Sequence, residues 1–201
     1  MDAVTKTEVA AETKTEVAAV TKTGVSSLVG KLETDMEIKN AAHKFYHMFA
    51  ERPHHVSTAS PAHIQNCELH EGEWGKVGAI LYWDYVHGKS TLYTFFLLII
   101  EGVAKVAKER VMASEPEKNL MTLSIIEGDL MKEFKSFVIT FQVTPKEGGP
   151  GSIVHWHIEY EKISEEIAHP ETILQFHVDM AKGVDEYLST EEVGIAPRVA
   201  L

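Results

Sequence analysis

The chain has a single cysteine, Cys67. One thiol cannot build an internal disulfide framework, and its solitary presence fits a reducing compartment. Basic residues are also scarce: 19 Lys and Arg stand against 30 Asp and Glu, a formal net charge of -11. Phosphate backbones are gripped by clustered Lys and Arg, so no nucleic-acid partner is expected. No apolar run approaches the ~18 residues needed to span a bilayer. Charged, Thr-rich sequence follows Met1, where a signal peptide would carry an apolar stretch. No membrane partner is expected, and a cytoplasmic location is. What remains is an ordinary globular composition, 44% hydrophobic and 24% charged over 201 residues. That is enough for one domain with its own core, or a domain and a half.

The chain opens on an internal repeat. Thr5–Glu12 recurs as Thr13–Val20, and a third copy starts at Thr21. A period of eight matches neither a heptad nor a solenoid, and Ala and Val alone bury too little to offset ordering entropy. Residues 1–25 therefore read as a disordered arm. Its three Lys nearly balance Asp2, Glu8, Glu12 and Glu16, which leaves the acidity with the rest of the chain.

From Ser26 the pattern changes. Leu28–Ile38 is strand-like; Ala41, Ala42, Phe45, Met48 and Phe49 recur at helical spacing. Pro53 and Pro61 bracket room for one more helical turn. Strand signals follow at Ile64–His70, Lys76–Val86, Val103–Met112, Leu120–Ile126, Glu133–Thr144 and Ser152–Lys162, separated by turns rich in Gly and Pro. A long helix closes the series from about Pro170 to Ser189, with Ile173, Phe176, Met180, Val184 and Tyr187 on one stripe. The expected class is α+β: a seven-stranded curved antiparallel sheet around a long C-terminal helix, with two short helices. The domain spans 26–189, and 190–201 is a C-terminal extension.

One segment breaks the rhythm. Gly88-Lys89-Ser90-Thr91 suggests a phosphate loop, but the glycine required five positions earlier is Trp83. The run Phe95–Ile100 is apolar, uncharged and of high β-propensity, a hazard if exposed. Without residues 89–100, Val86-His87-Gly88 would join Glu101-Gly102-Val103 as a short hairpin. Gly-Lys-Ser can be encoded by GGT-AAG-T, which contains a splice-donor consensus. The twelve residues thus read as translated intron or an error in the gene's predicted exon structure, the alternative being a genuine long hairpin loop.

The core resembles the major latex protein branch of the birch pollen allergen superfamily. The resemblance is carried by Ser27–Thr34, Phe49–Val56, Cys67–Gly72, Trp74–Gly78, Glu127–Met131, Gly151–Trp156, Glu159–Lys162 and His169–Thr172. It covers about 26–189 apart from the interruption; the arm, residues 89–100 and Val193–Leu201 depart from the pattern. The resemblance implies a helix-grip fold enclosing a large apolar cavity. It also implies a plant protein, mostly cytosolic in kind, linked to defence, abscisic-acid responses and transport of hydrophobic compounds. Most such proteins are binders, and a few relatives form alkaloids. The family's glycine-rich loop corresponds to Glu71–Gly78, thinned here to Gly72, Gly75 and Gly78, so a structural turn is the better reading.

Alternation along the late strands sets the expected inward face. Met121, Leu123 and Ile125 share one parity; so do Phe137, Ile139, Phe141 and Val143, with Lys135 at the start of that strand. On the last strand Val154, Trp156, Ile158 and Tyr160 oppose His155, His157 and Glu159. With Phe176, His177 and Met180 these line a pocket or simply fill a core; the family resemblance favours the pocket. Tyr82, Trp83 and Tyr85 stay open, because their strand is apolar on both parities. His155 and His157 could share a metal ion, but only Glu159 could join them on a solvated face, so no metal is expected. No cofactor motif is present. Cys67 lacks a neighbouring base, so packing is its expected role. Acid–base chemistry would have only His177, Asp84 and the weak donors Tyr82 and Tyr160 to draw on.

The expected function is therefore non-enzymatic: a small hydrophobic ligand, such as a steroid, fatty acid, phenolic or terpenoid, is bound and sequestered or delivered. The ligand-binding set is Tyr82, Met121, Leu123, Ile125, Phe137, Ile139, Phe141, Trp156, Ile158, Phe176, His177 and Met180, with His177 and Tyr82 orienting. The alternatives are an alkaloid-synthase or isomerase-type enzyme, or a signalling module with a ligand-dependent protein partner.

Overall fold

The computed structural model describes residues 28–94 and 97–192. The arm and Val193–Leu201 lie outside the described residues. Strand β1 (Val29–Ile38) leads into α1 (Ala42–Ala50), a 3-10 turn at Pro53–His55 and the single turn α2 (Val56–Ala59). Six strands follow: β2 (Ile64–Glu71), β3 (Ile80–Thr94), β4 (Leu97–Glu115), β5 (Leu120–Gly128), β6 (Phe134–Pro145) and β7 (Ser152–Lys162). Helix α3 (Glu171–Glu192) ends the described chain. The seven strands form one antiparallel sheet in the order β1-β7-β6-β5-β4-β3-β2, as the run of short turns predicts.

The sheet curves around α3. The helix touches β1 at one edge and β3 beside the other, which a flat sheet would not allow. Register shifts in β2, β4 and β6, at Leu69/Glu71, Lys108/Glu109 and Phe134/Ser136, supply local bends. The bulge in β6 also corrects one expectation. Phe134 turns inward ahead of Phe137, and Lys135 is exposed, bonded to Glu161 at 2.7 Å.

Inward positions otherwise follow the period of two. Leu32, Met36 and Ile38 on β1, Met121, Leu123 and Ile125 on β5, and Val154, Trp156, Ile158 and Tyr160 on β7 are all buried. α1 packs across one end, with the Phe49 ring 5.3 Å from Phe141 and 6.4 Å from Trp156. The glycine loop between β2 and β3 packs on the C-terminus of α1. A side chain at Gly75 (φ 68°) would place Cβ 2.6 Å from the Ala50 carbonyl oxygen, so that position demands glycine twice over.

A buried clamp ties the C-terminal half of α3 to β1. The Asp185 carboxylate accepts the backbone N–H groups of Lys39 (3.0 Å) and Asn40 (3.1 Å). Asn40 Nδ2 donates to the same carboxylate at 2.6 Å, and Ser152 donates to the Asn40 carbonyl at 2.9 Å. These bonds satisfy the donors left free where β1 stops.

Residues 89–94 and 97–101 run on as a two-stranded ribbon. Backbone pairing resumes after a register shift as Ser90↔Glu101 and continues to Thr94↔Leu97. β2 pairs with β3 no further than Tyr85, and β5 with β4 no further than Ala107, so this ribbon lies past the rest of the sheet.

Candidate functional site

Between the N-terminal half of α3 and the inward face of the sheet lies a cavity. Its atom-free space is about 620 Å³ with the mouth included, and its interior is narrow. Helix α3 contributes Ile173, Phe176, His177 and Met180; β5 gives Leu123 and Ile125; β6 and β7 give Ile139, Phe141 and Trp156. The remaining wall comes from Phe49, Ile64, Leu130, Trp83 and Tyr85 on β3, and Ala107 and Glu109 on β4.

Eight of the twelve residues expected at a binding site line this wall: Leu123, Ile125, Ile139, Phe141, Trp156, Phe176, His177 and Met180. Met121, Phe137 and Ile158 share their parity and are fully buried, but they pack in the core outside the wall. Tyr82 is a correction. It lies on the outer face, stacked on His70 at 5.0 Å and donating its hydroxyl to Asp84 at 3.1 Å. Asp84 shares that outer parity, so neither group reaches the cavity. The reason is register: buried Cys67 and Ile64 on β2 stand opposite Trp83 and Tyr85, which fixes those two as the inward pair.

The polar groups of the wall are few. Glu109 is 8% exposed, and one carboxyl oxygen accepts the Trp83 Nε1–H at 2.9 Å. Burial pushes its pKa up from 4.5 to about 7, and the Trp83 bond opposes that only in part. His177 lies between Trp156 (5.0 Å) and Phe176 (5.5 Å), and burial lowers its pKa from 6.5 to about 4. Its Nδ1 is 2.8 Å from the Ile173 carbonyl oxygen, which can only accept. Nδ1 therefore carries the proton, and Nε2 is left as an acceptor. Tyr85 Oη and Trp156 Nε1 are buried and find no hydrogen-bond partner among the described residues. Leaving a buried polar atom unpaired costs about 1–3 kcal/mol, so two such atoms on one apolar wall mark a place where a ligand can supply the missing bonds. Burial also raises the Tyr85 phenol well above its usual value and keeps it protonated.

Phe176 stands at the centre of this region. Its half-buried ring meets His63 (5.6 Å), Tyr85 (5.5 Å) and His87 (5.8 Å) as well as His177.

Phe49, Ile64, Trp83, Tyr85, Ala107, Leu130 and Ile173 also line the wall outside the expected set, and Glu109 is the charged wall residue that sequence reasoning missed. Its strand carries charge on both parities, so alternation alone does not select a face. The signal was weak but present: Ala107 and Val111 flank it at the right spacing, and both are buried. The histidine pair on β7 faces outward. His155 bonds Asp35 and His157 bonds Glu33, each at 2.7 Å, and no group of three or more metal-ligating side chains forms among the described residues. Cys67 is buried, with its thiol raised well above the usual range, as expected of packing. Among the described residues no helix is long and apolar enough to cross a membrane.

A curved antiparallel sheet gripping one long C-terminal helix, with an apolar cavity between them, defines the class as a helix-grip protein. The model of the pathogenesis-related protein Bet v 1 family matches residues 27–191. MLP-like proteins 28 and 31 of Arabidopsis thaliana are 65% and 64% identical over 167 residues, 83% of this chain. The chain spans 46% of the length of the first and 90% of the second. The crystal structure of ginseng major latex-like protein 151 from Panax ginseng superposes with a TM-score of 0.68 at 36% identity, covering 80% of this chain and 97% of that one. Norcoclaurine synthase from Thalictrum flavum, solved with dopamine and hydroxybenzaldehyde, shares the fold alone, at 16% identity, a TM-score of 0.61 and coverage of 88% and 97%. The chain belongs to the Bet v 1 family, in its major latex protein-like branch.

Proposed function

We propose that the chain binds a small apolar or amphipathic molecule in the cavity under α3 and holds or delivers it in the cytoplasm of a plant cell, in defence or stress responses. The observation that carries this reading is an apolar wall that includes two buried polar atoms with no hydrogen-bond partner among the described residues. Ligand burial supplies affinity at roughly 25 cal/mol per Å² of apolar area before ordering costs. His177, Tyr85, Trp156 and Glu109 set orientation. Because the interior is narrow, Phe176 and Met180 shift as the ligand enters. The family supplies a ligand-binding fold that suits this role.

The test is a neutral fluorescent probe such as Nile red. Met180→Trp fills the cavity, since Met180 is 4% exposed and lies in the wall. The variant is expected to weaken probe binding about tenfold. Unchanged affinity in a folded variant would count against the site.

One observation favours a second reading. Glu109 and neutral His177 face the same cavity, and a carboxyl group poised near neutrality is what general acid–base catalysis requires. An enzyme would lose turnover in Glu109→Gln while keeping ligand affinity; a binder would show no turnover to lose.

A further inference from the structure

The charge inventory of the cavity narrows the ligand class. Among the described residues its wall contains no Lys or Arg, and Glu109 is the one acidic side chain in it. His177 adds no positive charge, because burial holds its ring neutral, and its Nδ1 is committed to the Ile173 carbonyl. An ionised carboxylate buried here would meet no cation, would repel Glu109 and could only accept hydrogen bonds. A hydroxyl group meets the same wall differently. Its oxygen can accept from Trp156 Nε1–H or the Tyr85 hydroxyl, wall donors with no partner among the described residues, while its proton goes to His177 Nε2 or to Glu109. A hydroxyl thus complements both kinds of polar group on the wall, donor and acceptor.

We propose that the cavity selects neutral, hydroxyl-bearing apolar molecules and discriminates against the same molecules ending in an ionised carboxylate. The inference rests on the ligand-binding reading above. It separates two classes that the apolar lining alone treats equally, since sterols and fatty alcohols fit and free fatty acids and acidic hormones do not. Glu109 is the specificity-determining residue, acting by repulsion. The Trp83 bond holds its carboxyl group in place.

The experiment is displacement of Nile red from the full chain at pH 8 by 1-decanol and by decanoate, two molecules that differ only in the head group. Decanol is expected to compete at least tenfold more strongly. Equal potency, or stronger competition by decanoate, overturns the selectivity while leaving the cavity as the binding site. If Nile red binds and neither molecule displaces it, the selectivity is overturned and the ligand-binding reading stands; if Nile red does not bind, both fail.

Glu109→Gln tests the residue. The amide keeps an oxygen for Trp83 and removes the charge, so the gap between the two competitors should shrink to about threefold or less. A gap that persists in the folded variant overturns the role of Glu109. Tyr85→Phe provides a second handle that keeps the packing. It should weaken decanol several-fold, and unchanged decanol competition in the folded variant would contradict the assignment.

Discussion

Glu109 and His177 lie on one wall with shifts of opposite sign, and this makes the stability of the domain depend on pH in a specific way. Glu109 moves from 4.5 to about 7 on folding, so the native state holds its proton more tightly than the unfolded chain does. Its burial costs nothing below pH 4.5, grows more costly as pH rises to 7, and then levels at about 3 kcal/mol. His177 moves from 6.5 to about 4, so its burial is free above 6.5 and becomes costly as pH falls toward 4. Between 4.5 and 6.5 the two slopes oppose and largely cancel. Glu109→Gln removes one of them. Urea unfolding should show the variant gaining on the wild type as pH rises from 4.5 to 8, by a few kcal/mol in total, and a difference independent of pH would show that Glu109 is not buried as described.

Residue by residue, the inward faces of β5, β6 and β7 were legible because each strand alternates cleanly. Tyr82, Trp83 and Tyr85 were not, because β3 is apolar on both parities, and only its pairing with Cys67 and Ile64 decides the face. That pairing joins residues about twenty positions apart and leaves no local mark. Glu109 was hidden for the related reason that β4 carries charges on both faces.

Among the elements, the β3–β4 hairpin carries its pairing through residues 90–94 and 97–101 after one register shift. His87 pairs with Val103 in register on the near side of residues 89–100. Excision of those twelve residues would leave that pair closed by Gly88-Glu101-Gly102, a three-residue loop in which Gly88 already has φ 86°. A chain lacking 89–100 should therefore keep its urea midpoint within about 1 kcal/mol and its Nile red affinity within about twofold. Loss of folding in that chain would make the ribbon part of the domain. Transcript reads across the junction bear on its origin: reads that all retain the segment would rule out translated intron. The β6 bulge had no signal in the sequence, since Lys135 fits the inward parity by position and only the pairing of Phe134 with Lys162 and Ser136 with Glu161 reveals the shift. Helix α3 was legible from its stripe, but the role of Asp185 was not, because a lone acidic residue beside an apolar stripe looks like solvated surface. Its three charge-assisted bonds to Lys39 and Asn40 make Asp185→Ala cost about 3 kcal/mol, read as a lowered urea midpoint. A cost under about 1 kcal/mol would mean that the clamp is replaceable by water.

At the scale of the whole molecule, a curved sheet and one helix leave between them a space that the side chains do not fill. The fold class was legible from the order of elements and the turns between them. The cavity was not, since a residue that fills a core and one that lines a pocket have the same alternation; three of the expected wall residues proved to be core. Residues 89–94 and 97–101 stand apart as a ribbon, and the elements within 28–88 and 102–192 surround the cavity. The central claim is that this cavity holds a small apolar molecule. Intermolecular NOEs between bound 1-decanol and methyl-labelled protein test it most directly. The alkyl chain should show NOEs to Leu123, Ile125, Ile139 and Met180 methyl groups. NOEs confined to exposed methyls such as those of Val29, Val77 and Met112, or none at all, would contradict it.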